Sequence, residues 1–136
     1  MSAAPLVYVD TSALGALLVW QVETEALVEW LDRADADLVS SDLLETELRR
    51  MAVREGRDQA RVSAILDGVS LVALDRAVYR SAGLLPMRYL RTLDALHLEV
   101  AIRLGVDAVL TYDSRLADAA SAAGFDVIAP GSKTTR

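Results

Sequence analysis

Cysteine is missing from this 136-residue chain, and histidine and lysine occur once each, as His97 and Lys133. Without cysteine the chain has no disulfide, no thiolate zinc site and no thiol nucleophile. A reducing compartment fits that composition. A basic leader is missing too, since Met1–Pro5 carries no basic side chain. Long apolar runs are equally scarce. The stretch from Leu6 to Trp20 is interrupted by Asp10 and falls short of the roughly 20 residues that a membrane helix requires. The expected protein is therefore soluble and cytoplasmic, with no membrane segment.

What is present describes an ordinary globular domain. Apolar residues make up 53% of the chain and charged residues 25%, enough to bury a core within one domain. We expect that domain to span residues 1–130, with residues 131–136 as a flexible tail. The net charge of −6 argues at first sight against a nucleic-acid partner. Two features soften that objection. Holding four acids on metal would compensate most of the excess, and Arg49, Arg50, Arg54, Arg57 and Arg61 cluster in one stretch. Taken alone, such a run describes a solvated helix surface.

Hydrophobic spacing predicts alternating strands and helices. Leu6–Val9 reads as a buried strand, and Ala13, Ala16, Leu17 and Trp20 repeat at helical spacing after it. Leu27, Trp30, Leu31 and Ala34 mark a second helix, and Leu38–Val39 a second strand. Leu44, Leu48, Met51 and Ala52 give a helix stopped near Gly56. Val62, Ile65, Leu66 and Val69 give another, followed by a strand over Leu71–Leu74. Val78, Ala82 and Leu85 form a stripe before Pro86. Leu93, Leu96, Val100, Ala101 and Leu104 mark a long helix ended by Gly105. A strand at Ala108–Leu110, a helix through Leu116, Ala119, Ala120 and Ala123, and a strand at Phe125–Ala129 complete the series. This alternation implies an α/β fold with a parallel sheet covered on both faces. In such sheets the active site lies beyond the carboxyl ends of the strands, where strand order reverses.

Four acids fall where that rule points. Asp10 follows the first strand, Glu45 opens the helix after the second, and Asp113 follows the Ala108–Leu110 strand. Asp94 lies in the first turn of the long helix and joins them if that helix starts at the same edge. Each has a plain explanation. Asp42 and Glu45 have capping-box spacing, and Glu45 could pair with Arg49. Thr92 could cap the long helix with Asp94 as a favourable nearby charge, while Asp10 and Asp113 could cap the helices that follow them. Together the four are harder to explain away. Two carboxylates about 5 Å apart repel by roughly 3 kcal/mol at an effective dielectric near 20. A hard cation such as magnesium or manganese would offset that repulsion, and two such ions support hydrolysis of a phosphodiester. That chemistry requires neither cysteine nor histidine.

The stretches VYVDTSAL, SSDLLETEL, RTLDALHLEVA and VLTYDSRLADAA resemble, in this order, the PIN-domain nucleases, specifically the VapC-type toxins of bacterial toxin–antitoxin pairs. The resemblance runs from about Leu6 to Ala129. It implies a PIN-like three-layer α/β/α sandwich around a central parallel sheet of about five strands. It also implies an endoribonuclease dependent on Mg2+ or Mn2+, acting on RNA, commonly a homodimer, and inhibited by a cognate antitoxin protein. The four acids of the motif fall on Asp10, Glu45, Asp94 and Asp113 as catalytic and metal-holding residues. Ser12 matches a hydroxyl that orients the first aspartate, and Thr111 a small hydroxyl residue before the last. The RNA target does not follow from the resemblance.

Other residues carry two readings each. His97 lies one turn past Asp94, but it also falls on the stripe of Leu93, Val100 and Leu104, which turns it towards the core. Arg91 and Arg115 flank two of the acids and could grip phosphate oxygens or neutralise carboxylates. Asp118 reads as a surface charge. Trp20 and Trp30 occupy core-type positions, and the apolar first two helices could also form a groove for an inhibitor segment. Rival functions fit less well. Phosphotransferases of the haloacid-dehalogenase type want a second aspartate where Ser12 stands and a lysine near the phosphate, and a receiver domain wants that lysine too. A non-catalytic PIN-like module that binds RNA or a partner is the alternative, and loss of one acid would be its mark.

Overall fold

The computed structural model describes residues 4–132. Within them the chain forms β1 (Leu6–Val9), α1 (Thr11–Leu18), α2 (Thr24–Arg33), β2 (Asp37–Ser41), α3 (Asp42–Glu55) and α4 (Gln59–Leu66). It continues through β3 (Ser70–Val72), α5 (Arg76–Ala82), α6 (Thr92–Leu104), β4 (Ala108–Leu110), α7 (Ser114–Ala122) and β5 (Asp126–Ile128). All four strand pairings are parallel, in the order β3-β2-β1-β4-β5. The expected architecture stands. No described helix is long and apolar enough to cross a membrane.

Side chains of a strand alternate between its two faces, and β1 uses both. Val7 and Val9 join a core with Leu14, Leu18, Leu27, Leu44, Leu48 and Val62, the large buried residues of α1–α4. Tyr8 points the other way, into a second core with Val78, Leu98, Val100, Leu116 and Ala120 of α5–α7. The sheet thus separates two helical layers with separate apolar cores. Each fully buried leucine or valine stabilises its layer by about 1.5–3 kcal/mol. Where α1 crosses α3 the approach is close, because a Cβ on Gly15 would stand 2.7 Å from Met51 Cε.

The helix stops follow backbone chemistry. Gly56 and Gly105 end α3 and α6 in the left-handed conformation, with φ of 63° and 61°, which costs glycine no Cβ clash. Several expectations need correction. Trp20 is 68% exposed rather than core, because α1 stops at Leu18 and Val19 is extended, so the stripe does not reach it. Trp30 does pack on the first core. Leu93 is exposed, since the first turn of α6 stands clear of the core that holds the rest of the helix. The third strand is Ser70–Val72, and Val69, Leu85 and Phe125 lie outside regular elements. Gly131 lies close to α2, where an added Cβ would stand 2.8 Å from Ala26 Cβ. Of the expected tail, residues 133–136 lie outside the described residues.

Strand order runs outward from β1 through β2 and β3 on one side, and from β4 to β5 on the other. The reversal lies between β1 and β4. Asp10 follows one of these strands and Thr111–Asp113 the other.

Candidate active site

Asp10 is the most constrained of the four acids. Its backbone leaves β1 extended and caps α1, the side chain accepting the Ala13 N–H at 3.2 Å. The Ser12 hydroxyl donates to both carboxylate oxygens, at 2.8 and 3.0 Å, and Thr111 Oγ1 donates to Oδ2 at 2.9 Å. Ser12 Oγ in turn accepts the N–H groups of Tyr112 and Asp113, at 2.8 and 3.1 Å, and Thr111 Oγ1 accepts that of Asp113 at 3.0 Å. Two hydroxyls therefore lock the carboxylate after β1 to the backbone after β4. The carboxyl is only 5% exposed, and this burial raises its pKa against the lowering influence of His97, Ser12, Thr111 and the Ala13 amide.

Asp113 caps α7, accepting the N–H groups of Arg115 and Leu116 at 2.8 and 3.1 Å through Oδ1. Asp94 stands near enough to feel it. Burial raises the Asp94 pKa first and the charge of Asp113 second, outweighing a backbone hydrogen bond at Arg91 and the charges of His97 and Arg115. The Arg91 amide is the group towards which a third-position acid reaches back at a helix start. Arg91 itself is the N-cap, with no side-chain capping bond, so Thr92 is not the cap. Arg115 neutralises part of the Asp94 charge. Arg91 contributes its backbone there, while its side chain is exposed and borders an apolar pocket with Tyr79 and Leu90.

Glu45 is turned elsewhere. Its Oε2 accepts from Arg49 Nε at 2.7 Å, the one-turn pairing considered above. The expected capping box is absent, because Ser41 is the N-cap of α3 and Asp42 lies inside the helix. Both partners of the Glu45–Arg49 pair are partly exposed, and such pairs are worth about 0.3–0.5 kcal/mol. A divalent cation could displace Arg49 against so small a cost.

The donor set suits a hard cation in kind, being all oxygen and rich in negative charge. Asp94 and Asp113 already repel each other, and a cation between them would relieve that. Among the described residues no three His, Asp or Glu side chains are gathered tightly enough to hold one ion. The structure brings Asp94 and Asp113 within electrostatic reach of each other, ties Asp10 to the Asp113 backbone through Ser12 and Thr111, and leaves Glu45 on Arg49.

His97 is buried, as its stripe implies, at 3% exposed, and it is not idle there. The Tyr8 hydroxyl lies 2.7 Å from Nδ1, and Glu47 Oε1 lies 2.7 Å from Nε2. Burial pushes the Tyr8 phenol up to about 12, so it stays protonated beside Nδ1. Nε2 donates to the Glu47 carboxylate, which can only accept. Sequence reasoning passed over Tyr8 and Glu47. Their only signal is position, each two residues from a candidate acid. Asp118 is exposed on α7, as a surface charge would be.

Comparison with known proteins extends these observations. The family model described as PIN domain matches residues 7–122. The chain is 37% identical over 133 residues to Ribonuclease VapC35 of Mycobacterium tuberculosis, covering 93% of this chain and 98% of that one. It is 41% identical over 128 residues to Ribonuclease VapC46 of the same organism, covering 91% and 97%. Among solved structures, Mycobacterium tuberculosis VapC20, described as a toxin that cleaves the sarcin–ricin loop, matches with a TM-score of 0.73 at 18% identity, covering 91% of this chain and 99% of that one. A toxin–antitoxin complex from Klebsiella pneumoniae matches at 0.69 and 17%, covering 91% and 97%. The structural likenesses bear on the fold, and the sequence matches span nearly the full length of the relatives. The chain belongs to the PIN-domain family, within its VapC branch.

Proposed function

We propose that this protein is a Mg2+- or Mn2+-dependent endoribonuclease, the toxin of a toxin–antitoxin pair, with Asp10, Glu45, Asp94 and Asp113 holding the metal. The observation that carries the reading is the Ser12–Thr111 lock, which fixes Asp10 against the Asp113 backbone at the switch point of the sheet. The relatives' shared name, ribonuclease, supports it. When bound, such a cation supplies Lewis acidity that activates water for in-line attack on phosphorus and stabilises the leaving oxygen. The chain's own groups do the rest. Ser12 and Thr111 orient Asp10, Arg115 offsets charge at Asp94, and Glu45 joins by leaving Arg49. Incubating purified protein with structured RNA in manganese, magnesium or EDTA tests this directly. Cleavage with either metal and none in EDTA is expected. Intact RNA under all three conditions would turn the reading towards a non-catalytic RNA- or partner-binding module. The same reading includes a cytoplasmic homodimer, for which light scattering would give twice the chain mass.

Two exposed arginines give the substrate a path. Arg54 borders two grooves, one shared with Ser12, Met51, Tyr112 and Asp113, the other with Thr11, Glu47, Arg50 and Leu93. Arg54 pairs loosely with Glu55, at 4.0 Å, whereas Arg61 donates to the Leu17 carbonyl and Arg49 is held by Glu45 and Gln59. Arg54, beside Asp113, and Arg50, in the second groove, are thus placed to contact RNA phosphates. Arg54→Glu should raise KM for RNA about tenfold with kcat little changed. Its binding should also depend less steeply on salt, since about one phosphate contact is lost. An unchanged salt slope would remove Arg54 from the path.

An exposed apolar surface on the first two helices suits an antitoxin. Trp20, Val22 and Val28 are exposed around α1 and α2, whereas Leu14, Leu18 and Leu27 are consumed by the core. We place the inhibitor on this surface, with a cation of its own, most simply an arginine, reaching the acids in competition with metal. Trp20→Ala should weaken the complex by about 2 kcal/mol or more, as truncation of a central aromatic anchor does. Hydrogen exchange in the complex checks the location: protection that avoids Leu14–Leu31 altogether would exclude it.

A further inference from the structure

Beside Asp113 a groove of about 450 Å³ carries groups that acid and metal chemistry does not use. Its size falls within the roughly 300–1,000 Å³ of ligand pockets. Ser12, Gln21, Met51, Arg54, Tyr112 and Asp113 line it, so it opens directly next to the candidate acids. Tyr112 sets its character. The Tyr112 N–H is held by Ser12 Oγ at 2.8 Å, and its hydroxyl donates to the Pro130 carbonyl at 2.7 Å. Burial and the charge of Glu23 push that phenol up to about 12, which keeps the donor protonated. Part of the side chain rests on the first core, and the remainder borders the groove. Tied at both ends, the ring has little rotamer freedom left to lose on binding. Met51 adds a soft apolar surface, its end lying in the space that Gly15 leaves. Gln21 spends its backbone N–H on Thr24 Oγ1 at 2.9 Å, while its side-chain amide has no hydrogen bond among the described residues.

We propose that this groove is a nucleobase subsite, in which one unstacked base of a single-stranded RNA lies against Tyr112, with Gln21 reading its edge and Arg54 meeting its phosphate. The proposal rests on the nuclease reading above for RNA as the substrate, and it names the part of that substrate the groove takes. Single-stranded RNA is recognised by splaying bases onto aromatic rings and hydrogen-bonding their exposed edges. A ring, an unengaged amide and a cation in one groove supply those contacts together. A duplex keeps its base faces stacked, so the subsite selects loops, bulges or ends. The two side chains divide the work. Every base has a π-face, so stacking on Tyr112 gives affinity without sequence preference. The Gln21 amide offers two donors and an acceptor in fixed geometry, so preference among bases comes from it. Because Asp113 lines the same groove, the bound base belongs to a nucleotide beside the scissile phosphate.

Binding can be measured apart from cutting. With the full chain in EDTA at low salt, labelled single-stranded RNA of about 12 nucleotides is compared with inorganic polyphosphate of similar charge, which has no bases. Tyr112→Leu should weaken RNA binding about tenfold, the loss of one base–aromatic stack, and leave polyphosphate binding within about twofold. Tyr112→Phe keeps the ring but not the bond to Pro130, and should bind RNA within about threefold of wild type. Affinities for oligo-A, oligo-C and oligo-U should differ by at least about fivefold in wild type, and Gln21→Ala should narrow that spread. In manganese, Tyr112→Leu should raise KM for RNA about tenfold with kcat within about threefold, as loss of binding shared by ground and transition states does. A Tyr112→Leu that binds RNA like wild type overturns the subsite, and is the result expected of a groove that serves only the inhibitor. Equal losses for RNA and polyphosphate overturn it too, as does a Tyr112→Phe as weak as Tyr112→Leu, which would make the tie to Pro130 the whole effect. An unchanged spread in Gln21→Ala removes Gln21 from base reading. Should Tyr112→Leu fail to fold, ultraviolet cross-linking of wild type to the same RNA decides, since an adduct confined to residues outside the groove excludes the subsite. Wild type that binds RNA through Tyr112 yet cuts none would sink the nuclease reading and leave the subsite. Cleavage that Tyr112→Leu leaves untouched would do the reverse.

Discussion

Asp94→Asn should lower RNA cleavage by at least about 10²-fold while leaving the far-ultraviolet circular dichroism unchanged. The magnitude follows from the acids acting as one unit, in which losing one member forfeits most of what the set provides. For the same reason Asp94→Asn combined with Asp113→Asn should be little worse than either alone. Asp94 is the cleanest of the four to test. Asparagine at 113 can still cap α7 through its amide oxygen, but its capping role and its metal role overlap. At Asp10 the substitution does more harm. The Ser12 and Thr111 hydroxyls donate to its oxygens because their own lone pairs already receive backbone N–H groups. An amide nitrogen facing them would set donor against donor, leaving buried polar groups unpaired at about 1–3 kcal/mol each. Lost activity in Asp10→Asn is therefore informative only beside a thermal melt. Glu45→Gln distinguishes the metal role of Glu45 from its salt bridge, since that bridge is worth too little to explain a large loss. Near-normal turnover by Asp94→Asn would remove the catalytic assignment.

The legibility of this site varied with how locally each position is determined. Asp10 and Asp113 could be placed because a residue directly after a parallel strand must emerge at the sheet's carboxyl edge, whatever its side chain does. Their hydroxyl partners were accessible only through the resemblance. Nothing in the spacing of Ser12 and Thr111, 99 residues apart, indicates that they meet. The helix stops at Gly56 and Gly105 were readable because a left-handed cap is a property of one residue. Trp20 was not, because periodicity extrapolates past a helix end that no glycine or proline marks. Glu45 shows the opposite limit. Its place in the first turn of α3 is as read and its pairing with Arg49 was among the alternatives, but whether a carboxylate faces Arg49 or a cation depends on which is present. Tyr8 and Glu47 were invisible for a further reason. Each reads as an ordinary strand or helix residue until the fold brings His97 between them.

Asp94→Asn should also raise the melting temperature of the metal-free protein, the result that separates a converged acidic site from independent helix-end charges. In the folded state burial and the charge of Asp113 raise the Asp94 pKa. The folded protein therefore holds that proton more tightly than the unfolded chain, whose aspartates titrate near 3.9. Stability must then fall as pH rises from that value through the raised pKa, and the full penalty is present above it. Asparagine carries no such penalty. In EDTA at neutral pH the mutant should melt above wild type, and its advantage should shrink as pH is lowered through the raised pKa, vanishing near pH 4. Manganese should reverse the order. At a hundredfold excess over its dissociation constant it stabilises wild type by roughly 2.7 kcal/mol, about 10 °C for a chain of this size, and the mutant by much less. If Asp94 serves only as a favourable charge at the start of α6, removing it should cost about 0.3–1 kcal/mol, with or without metal. A mutant that melts below wild type in EDTA, beside a wild type indifferent to manganese, would leave that simpler role standing and take the metal site away from Asp94.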